Sequence, residues 1–335
     1  WADQGLFYPL DEYIARDSFS NEDFYPAAWN ETIYKGHTYG IPWNMDCRAY
    51  VYNRAAFAES GLNPDIAPKT WEETVAFARK LDRKSAEGFT RIGFLAHDGN
   101  WYFLGWLLAA GGSIVDSTGR NVTWNSEAGL QAAHFMADVA NYYGGYDAAR
   151  AVTGGSSSTS MSRGTLTSVV DYSGFVSSAL RKNPTLEIGV GPAPRPTGLE
   201  HEKMSWSGGF AMSIPITVPR SKTDAVWEFI KWFTSVEGMM VAFESGEFTG
   251  QLPTRRSVVL DSRYSHKLPA PLLGFIDLLP CSQFRPVVPD GESLYELYRR
   301  RLADMILKEG VVPDQAVAET ARLGQLILDE RWAGK

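Results

Sequence analysis

One segment carries the side chains best suited to chemistry. Residues 39–54 read YGIPWNMDCRAYVYNR, so Trp43 stands beside Asn44, Asp46 and Arg48. A sugar ring has C–H groups on its faces and hydroxyls at its rim, and it is bound by a flat aromatic face beside carboxylate, amide or guanidinium groups. This combination favours a carbohydrate site. The alternative is that Trp43 is a core ring and that Asp46 and Arg48 form a local ion pair. If only the residue composition is considered, this alternative is the more common arrangement.

Sequence motifs for cofactors and metals are missing. No phosphate-binding loop occurs, Gly189 and Gly191 lack the third glycine of a dinucleotide fingerprint, and the five histidines stand singly. We therefore expect no cofactor and no metal. A hydrolase remains an alternative, because the carboxylates of Asp46 and Asp171 could meet in a cleft as the acid and base of glycoside hydrolysis.

Length and charge narrow the class of protein. A chain of 335 residues with 44% hydrophobic side chains is long enough for two globular lobes. The net charge of −7 and the lack of a basic run make nucleic acid an unlikely partner. The apolar stretch at residues 103–115 is shorter than the roughly 20 residues that span a bilayer. Residues 1–10 show no signal-peptide pattern.

The two cysteines leave two possibilities open. Cys47 and Cys281 could form one disulfide bridge in an oxidising compartment, or they could be two unpaired thiols. The sequence favours neither.

The elements that position these side chains alternate between strands and helices, which predicts an α/β fold with parallel or mixed sheets. Thr70 and Glu73 form a capping box before one helix, and Ser126 caps another. Further helices are predicted at about residues 224–234 and in two segments after residue 293. Short strands are predicted at residues 39–41, 48–52, 92–94, 168–171, 188–190 and 210–214.

An ordered set of motifs resembles the extracellular solute-binding proteins of ATP-driven sugar importers, the group that includes maltose-binding protein. The set covers nearly the whole chain, although no single motif is decisive. After residues 39–54, the matching segments are Phe57 with Gly61 and Leu62, the helix start at 69–73, and residues 101–112, 163–171, 206–215, 225–234 and 252–255.

The resemblance implies a two-lobe fold of the periplasmic-binding-protein kind, type II-like, with ligand held between the lobes and hinge closure on binding. Lobe one would hold residues 1–43 and 210–283, lobe two residues 49–205 and 287–335, and the hinge crossovers residues 44–48, 206–209 and 284–286. The family pattern at residues 1–11 normally follows an N-terminal portion that this sequence lacks. We therefore expect lobe one to be incomplete and ligand affinity to be at risk.

The resemblance also implies the ligand contacts and the partners. Asp46 matches the acidic position at the first crossover, and Gly208 and Gly209 are expected to serve the hinge. The expected partners are a carbohydrate and the transmembrane permease of the importer, with a monomer outside the cytoplasmic membrane, periplasmic or membrane-associated. A truncated protein that binds no ligand is the remaining alternative. The predicted ligand-binding residues are Trp43, Asn44, Asp46, Arg48, Trp101, Asp171, Phe175, Trp206 and Arg285.

Overall fold

The computed structural model describes residues 1–244 and 250–333. Strands of the described residues form a two-stranded hairpin and one larger mixed sheet. They are β1 (Ile33–Tyr34), β2 (His37–Thr38), β3 (Ile41–Asn53), β4 (Arg83–Ser85), β5 (Gly88–Phe94), β6 (Leu166–Tyr172), β7 (Ile188–Gly191), β8 (Ser205–Met212), β9 (Leu252–Pro253) and β10 (Ser282–Gln283).

Helices alternate with these strands along the chain. In the described residues they are α1 (Asp11–Arg16), α2 (Pro26–Asn30), α3 (Arg54–Glu59), α4 (Trp71–Leu81), α5 (Tyr102–Ala109), α6 (Glu127–Tyr142), α7 (Tyr146–Thr153), α8 (Ser157–Ser162), α9 (Gly174–Lys182), α10 (Arg220–Phe233), α11 (Val236–Glu244), α12 (Arg256–Leu260), α13 (Ser262–Ser265), α14 (Ala270–Ile276), α15 (Gly291–Glu296), α16 (Leu302–Leu307) and α17 (Pro313–Ala333). A 3₁₀ turn covers Leu279–Cys281, and a π-helical turn covers Leu297–Arg301.

The central strand β3 runs through both halves of the molecule. Its first half pairs with β8 and β9, and its second half pairs with β6 and β7. Most of its residues are buried, as expected for a strand with neighbours on both edges and cover on both faces. Since side chains alternate along a strand, Asn44, Asp46 and Arg48 share one face.

The sequence predicts two short strands, at residues 39–41 and 48–52, with the polar segment between them. This prediction is wrong, because β3 is one strand of 13 residues. Asn and Asp have low strand propensity, but pairing with β8 on one edge and β9 on the other satisfies the backbone of this segment and outweighs that preference.

Three chain segments lie side by side where the two halves join. β3 and β8 are antiparallel there, with Asp46 opposite Gly208, and β8 and β10 are parallel, with Trp206 opposite Gln283. The predicted crossovers at residues 44–48 and 206–209 lie in these paired strands, and that at 284–286 directly follows β10. Their role as a hinge stays a prediction.

Two groups of buried apolar side chains form the cores. The smaller one joins β3 and β8 to α1, α10 and α11 through residues such as Ile41, Ile214 and Trp227. The larger one holds the side chains around β5, β6, α5 and α6. Leu272 and Phe275 belong to the larger core, which favours assigning α14 to lobe two instead of lobe one. The division into lobes stays a prediction.

The predicted helix starts are confirmed. The Thr70 hydroxyl accepts a hydrogen bond from the Glu73 amide at 3.0 Å, and α4 begins one residue after Thr70. The Ser126 hydroxyl accepts one from the Gly129 amide at 3.3 Å, at the start of α6. Both caps satisfy amides that have no partner within the first turn of a helix.

Both cysteines are free thiols in this structure. The buried thiol of Cys47 donates to the carbonyl of Phe275, and the half-buried thiol of Cys281 donates to the carbonyl of Leu278. Separately, none of the helices in residues 1–244 and 250–333 combines the length and apolar character needed to cross a bilayer.

Candidate functional site

A cavity of about 610 Å³ lies beside the three paired segments. A cavity of this size is in the range that holds a small organic ligand. Its wall combines rings, backbone and charged groups from all three segments and from the N-terminal region, including Glu31, Tyr34, Tyr39, Asn44, Gly208 and Arg285.

The pair formed by Asp46 and Arg48 lies at the centre of the paired strands. The Arg48 side chain is only 4% exposed, and its Nη1 forms an ion pair with Asp46 Oδ1. Asp46 also accepts the amide of Gly208 at 3.0 Å, which ties β3 to β8. The guanidinium carbon of Arg48 lies 3.4 Å from the centre of the Trp206 ring, a close cation–π contact. The predicted residues Asp46, Arg48 and Trp206 are therefore brought together.

Asn44 and Gly209 join the same strands one step further along. The side-chain oxygen of Asn44 accepts the amide of Phe210 at 2.9 Å, and its amide group donates to Gln251. A Cβ atom at Gly209 would lie 2.2 Å from the carbonyl oxygen of Asn44, so this position has no room for a side chain. Gly209 thus permits close approach of the two strands.

A second ion pair, which the sequence did not reveal, lines the cavity. Arg285 Nη2 lies 3.2 Å from Glu31 Oε1, and both side chains are mostly buried. Burial raises the pKa of the Glu31 carboxyl, and Arg285 partly offsets that effect. The guanidinium of Arg285 lies 4.9 Å from the centre of the Tyr295 ring. The ion pair could not be predicted from the residues around Glu31, because Arg285 lies more than 250 residues away in sequence.

Two tyrosines and Arg299 form a further group near this pair. The guanidinium carbon of Arg299 lies 5.0 Å from the centre of the Tyr102 ring and 5.3 Å from that of Tyr295. Tyr102 has a φ of 54°, a left-handed conformation that is strained for an aromatic residue and is typical of functional sites. These residues were not predicted from the sequence. The spacing of Tyr295 and Arg299, one helical turn apart, is the signal that could have found two of them.

Asp171 lies at the end of β6 and is 4% exposed. Its carboxylate accepts the Ser157 hydroxyl at 2.5 Å, the Asn100 amide at 3.1 Å and its neighbour's amide at 2.8 Å. Burial raises the pKa of Asp171 to about 6, although these hydrogen bonds oppose the rise. Asn100 also accepts Arg48 Nε through its carbonyl at 3.2 Å, so one residue links the carboxylate of Asp171 to the central ion pair.

The remaining predicted aromatic residues lie in or against the cores. Trp101 and Phe175 are 0% and 1% exposed and belong to the larger core. Trp43 points to the opposite face from Asn44 and packs against Phe233, with ring centres 5.3 Å apart. In this conformation these three rings adopt the core alternative that the sequence left open. Their contact with a ligand stays a prediction.

A cavity beside three adjacent strand segments in an α/β fold of two lobes is the arrangement of a two-lobe solute-binding protein. The family of bacterial extracellular solute-binding proteins matches residues 1–240, and the chain belongs to this family. The expected family and fold are thereby confirmed. Members of this family are extracellular proteins that bind solutes without transforming them. One relative is a probable amino-acid ABC transporter periplasmic-binding protein of Sinorhizobium fredii, 31% identical over 132 residues, 38% of this chain and 27% of that protein. The protein is therefore not an enzyme, and the hydrolase alternative is dropped.

Similar proteins bind more than one kind of solute. A putative binding protein of Brucella abortus is 24% identical over 331 residues, 97% of this chain and 76% of that protein. A solved structure with mannobiose bound has a TM-score of 0.82 at 21% identity, over 97% of this chain and 80% of its own. The sn-glycerol-3-phosphate-binding protein of Yersinia enterocolitica is 24% identical over 254 residues, 71% of this chain and 54% of that protein.

Proposed function

We propose that the protein binds a mono- or oligosaccharide in the cleft between its lobes and delivers it to the permease of an ABC importer. The observation that carries this proposal is a carboxylate paired with an arginine beside an aromatic ring, which occurs in the cavity wall at Glu31 and Arg285 and on the adjoining strands at Asp46 and Arg48. Asp46 with Arg48 and Glu31 with Arg285 offer acceptors and donors for hydroxyls, and Tyr295 offers a flat face.

The charges of these groups support an uncharged ligand. The guanidinium groups of Arg48, Arg285 and Arg299 each have a carboxylate within 3.2 Å, the partners being Asp46, Glu31 and Glu296. A phosphate ester would need a guanidinium whose charge is not already compensated. A sugar hydroxyl needs only the hydrogen-bond donors and acceptors that are not used within the arginine–carboxylate ion pairs. We therefore infer a polyol in preference to a glycerol phosphate.

Delivery depends on closure of the lobes around the three crossovers. In this proposal, the open protein holds the sugar on one lobe, and contacts from the other lobe favour the closed form by differential affinity. The permease then recognises the closed form. We propose a monomer that works on the outer side of the cytoplasmic membrane, either free or tethered.

A thermal-shift titration tests the ligand class. Mannobiose and maltotriose represent sugars, and sn-glycerol 3-phosphate represents the anionic alternative. A ligand that binds only the folded state raises the melting temperature in proportion to the logarithm of its concentration above Kd. We expect a rise with at least one sugar and none with the phosphate ester. A rise with sn-glycerol 3-phosphate alone would overturn the sugar assignment.

Tyr295→Ala tests the site itself. Loss of a stacking ring is expected to weaken binding of the responding sugar at least tenfold, because an aromatic contact contributes about 1 kcal/mol or more beyond its buried area. Isothermal titration calorimetry measures the change. Phe229→Ala, which removes an exposed ring on α10, is the matched control and should bind normally. Equal affinities of the two variants would contradict the proposed site.

A further inference from the structure

Two strands, β9 from predicted lobe one and β6 from predicted lobe two, meet end to end on the same edge of β3. β9 pairs with Asn44 and Met45, and β6 pairs with residues 48–52. Cys47 lies between them, and its carbonyl accepts the amide of Ser173 at 3.2 Å. The junction of β9 with β6 therefore lies on the crossover strand itself.

Leu252 of β9 packs in the larger core, but the residues that directly follow β9 are held by the other half of the molecule. Thr254, next to β9, donates its hydroxyl to the carbonyl of Pro42 at 2.8 Å, and Arg255 forms an ion pair with Asp23 at 3.3 Å. On the other side, Phe175 at the start of α9 packs in the larger core. A rotation of the segment held by Thr254 and Arg255 relative to α9 is therefore expected to change the gap at this junction.

The gap is closed by two glycines in direct contact. A Cβ atom at Gly250 would lie 2.2 Å from the Cα and 3.0 Å from the nitrogen of Gly174. Gly250 has a φ of +98°, and its carbonyl accepts the hydroxyl of Ser173. The contact thus combines backbone packing that excludes any side chain with one hydrogen bond across the junction.

We infer that Gly174, Gly250 and the Ser173 hydroxyl form a hinge stop that sets the resting angle between the lobes. Backbone packed against backbone cannot be compressed, so rotation of β9 towards α9 ends at this contact. The hydrogen bond holds the two ends together at that limit. The stop concerns the ligand-free protein and does not depend on which solute binds.

Gly250→Ala tests the hinge stop. The added methyl must move the two ends apart by roughly 1 Å or more to reach ordinary contact distance. Spin labels at L260C and T185C, both exposed and on opposite sides of the junction, report the separation by pulsed electron resonance. The background is Cys281→Ser, with Cys47 protected by burial. We expect a longer mean distance in Gly250→Ala.

Gly198→Ala is the matched control. Gly198 has a φ of +97° but no atom within 4 Å of a Cβ position, so this variant carries the same backbone penalty without the collision. Equal mean distances in the two variants would overturn the inference. If Gly250→Ala does not fold, Ser173→Ala decides the question: it removes the hydrogen bond without adding bulk, and a distance distribution no broader than that of the parent would also overturn it.

Discussion

Arg48→Met is expected to lower the free energy of unfolding by about 3–5 kcal/mol, the cost of removing one partner from a buried ion pair. The substitution leaves Asp46, 16% exposed, without its cation. It also removes the cation–π contact with Trp206 and the hydrogen bonds to the carbonyls of Asn100 and Trp206. Urea unfolding followed by circular dichroism measures the loss.

Arg54→Met provides the matched comparison. Arg54 also pairs with an aspartate, Asp65, but their side chains are 40% and 67% exposed, and such surface pairs contribute at most about 1 kcal/mol. The double variant Asp46→Asn/Arg48→Met should recover part of the loss, since it leaves no uncompensated charge. If Arg48→Met unfolds at the same urea concentration as Arg54→Met, the central ion pair does not hold the crossovers together.

The fold could be predicted from local sequence because its elements carry local signals. The capping box at Thr70 and Glu73 and the cap at Ser126 gave the starts of α4 and α6 correctly. Where tertiary pairing decides, local signals failed. The polar segment of β3 becomes a strand only because β8 and β9, more than 160 residues away in sequence, satisfy its backbone.

In the candidate site, too, some contacts could be predicted from local spacing, and others depend on the tertiary fold. Asp46 and Arg48, two residues apart on one face of a strand, could be paired from spacing alone. Glu31 and Arg285 could not, because their contact depends on how the third segment returns to the cleft. Aromatic type alone also does not distinguish a stacking ring from a core ring, which is why Trp101 was predicted at the site while its strained neighbour Tyr102 was missed.

Asp171→Asn is expected to change how stability depends on pH. The pKa of Asp171 is about 6 in the folded protein and near 3.8 in the unfolded chain, so the folded state binds the proton more tightly. Stability of the parent protein should therefore fall as pH rises from about 4 to 6. Asparagine cannot ionise, but its side-chain oxygen can still accept the amide of Asn100, and its NH2 group can donate to the hydroxyl of Ser157. The variant should lack this fall.

At pH 7 the difference between Asp171→Asn and the parent should reach about 3 kcal/mol in favour of the variant, since two pKa units correspond to that free energy. Urea unfolding at a series of pH values from 4 to 8 measures it. Asp98, whose pKa burial also raises, is one of the groups that raise the pKa of Asp171, so the difference between the two profiles reports Asp171 together with its coupling to Asp98. Parallel pH profiles for the parent and Asp171→Asn would mean that the Asp171 carboxylate is stabilised as fully in the fold as in water.

Asp116→Asn is the opposite case. Hydrogen bonds from Asn121 and Thr118 hold the pKa of the exposed Asp116 carboxyl below its usual range, so loss of this carboxylate should destabilise the protein at neutral pH.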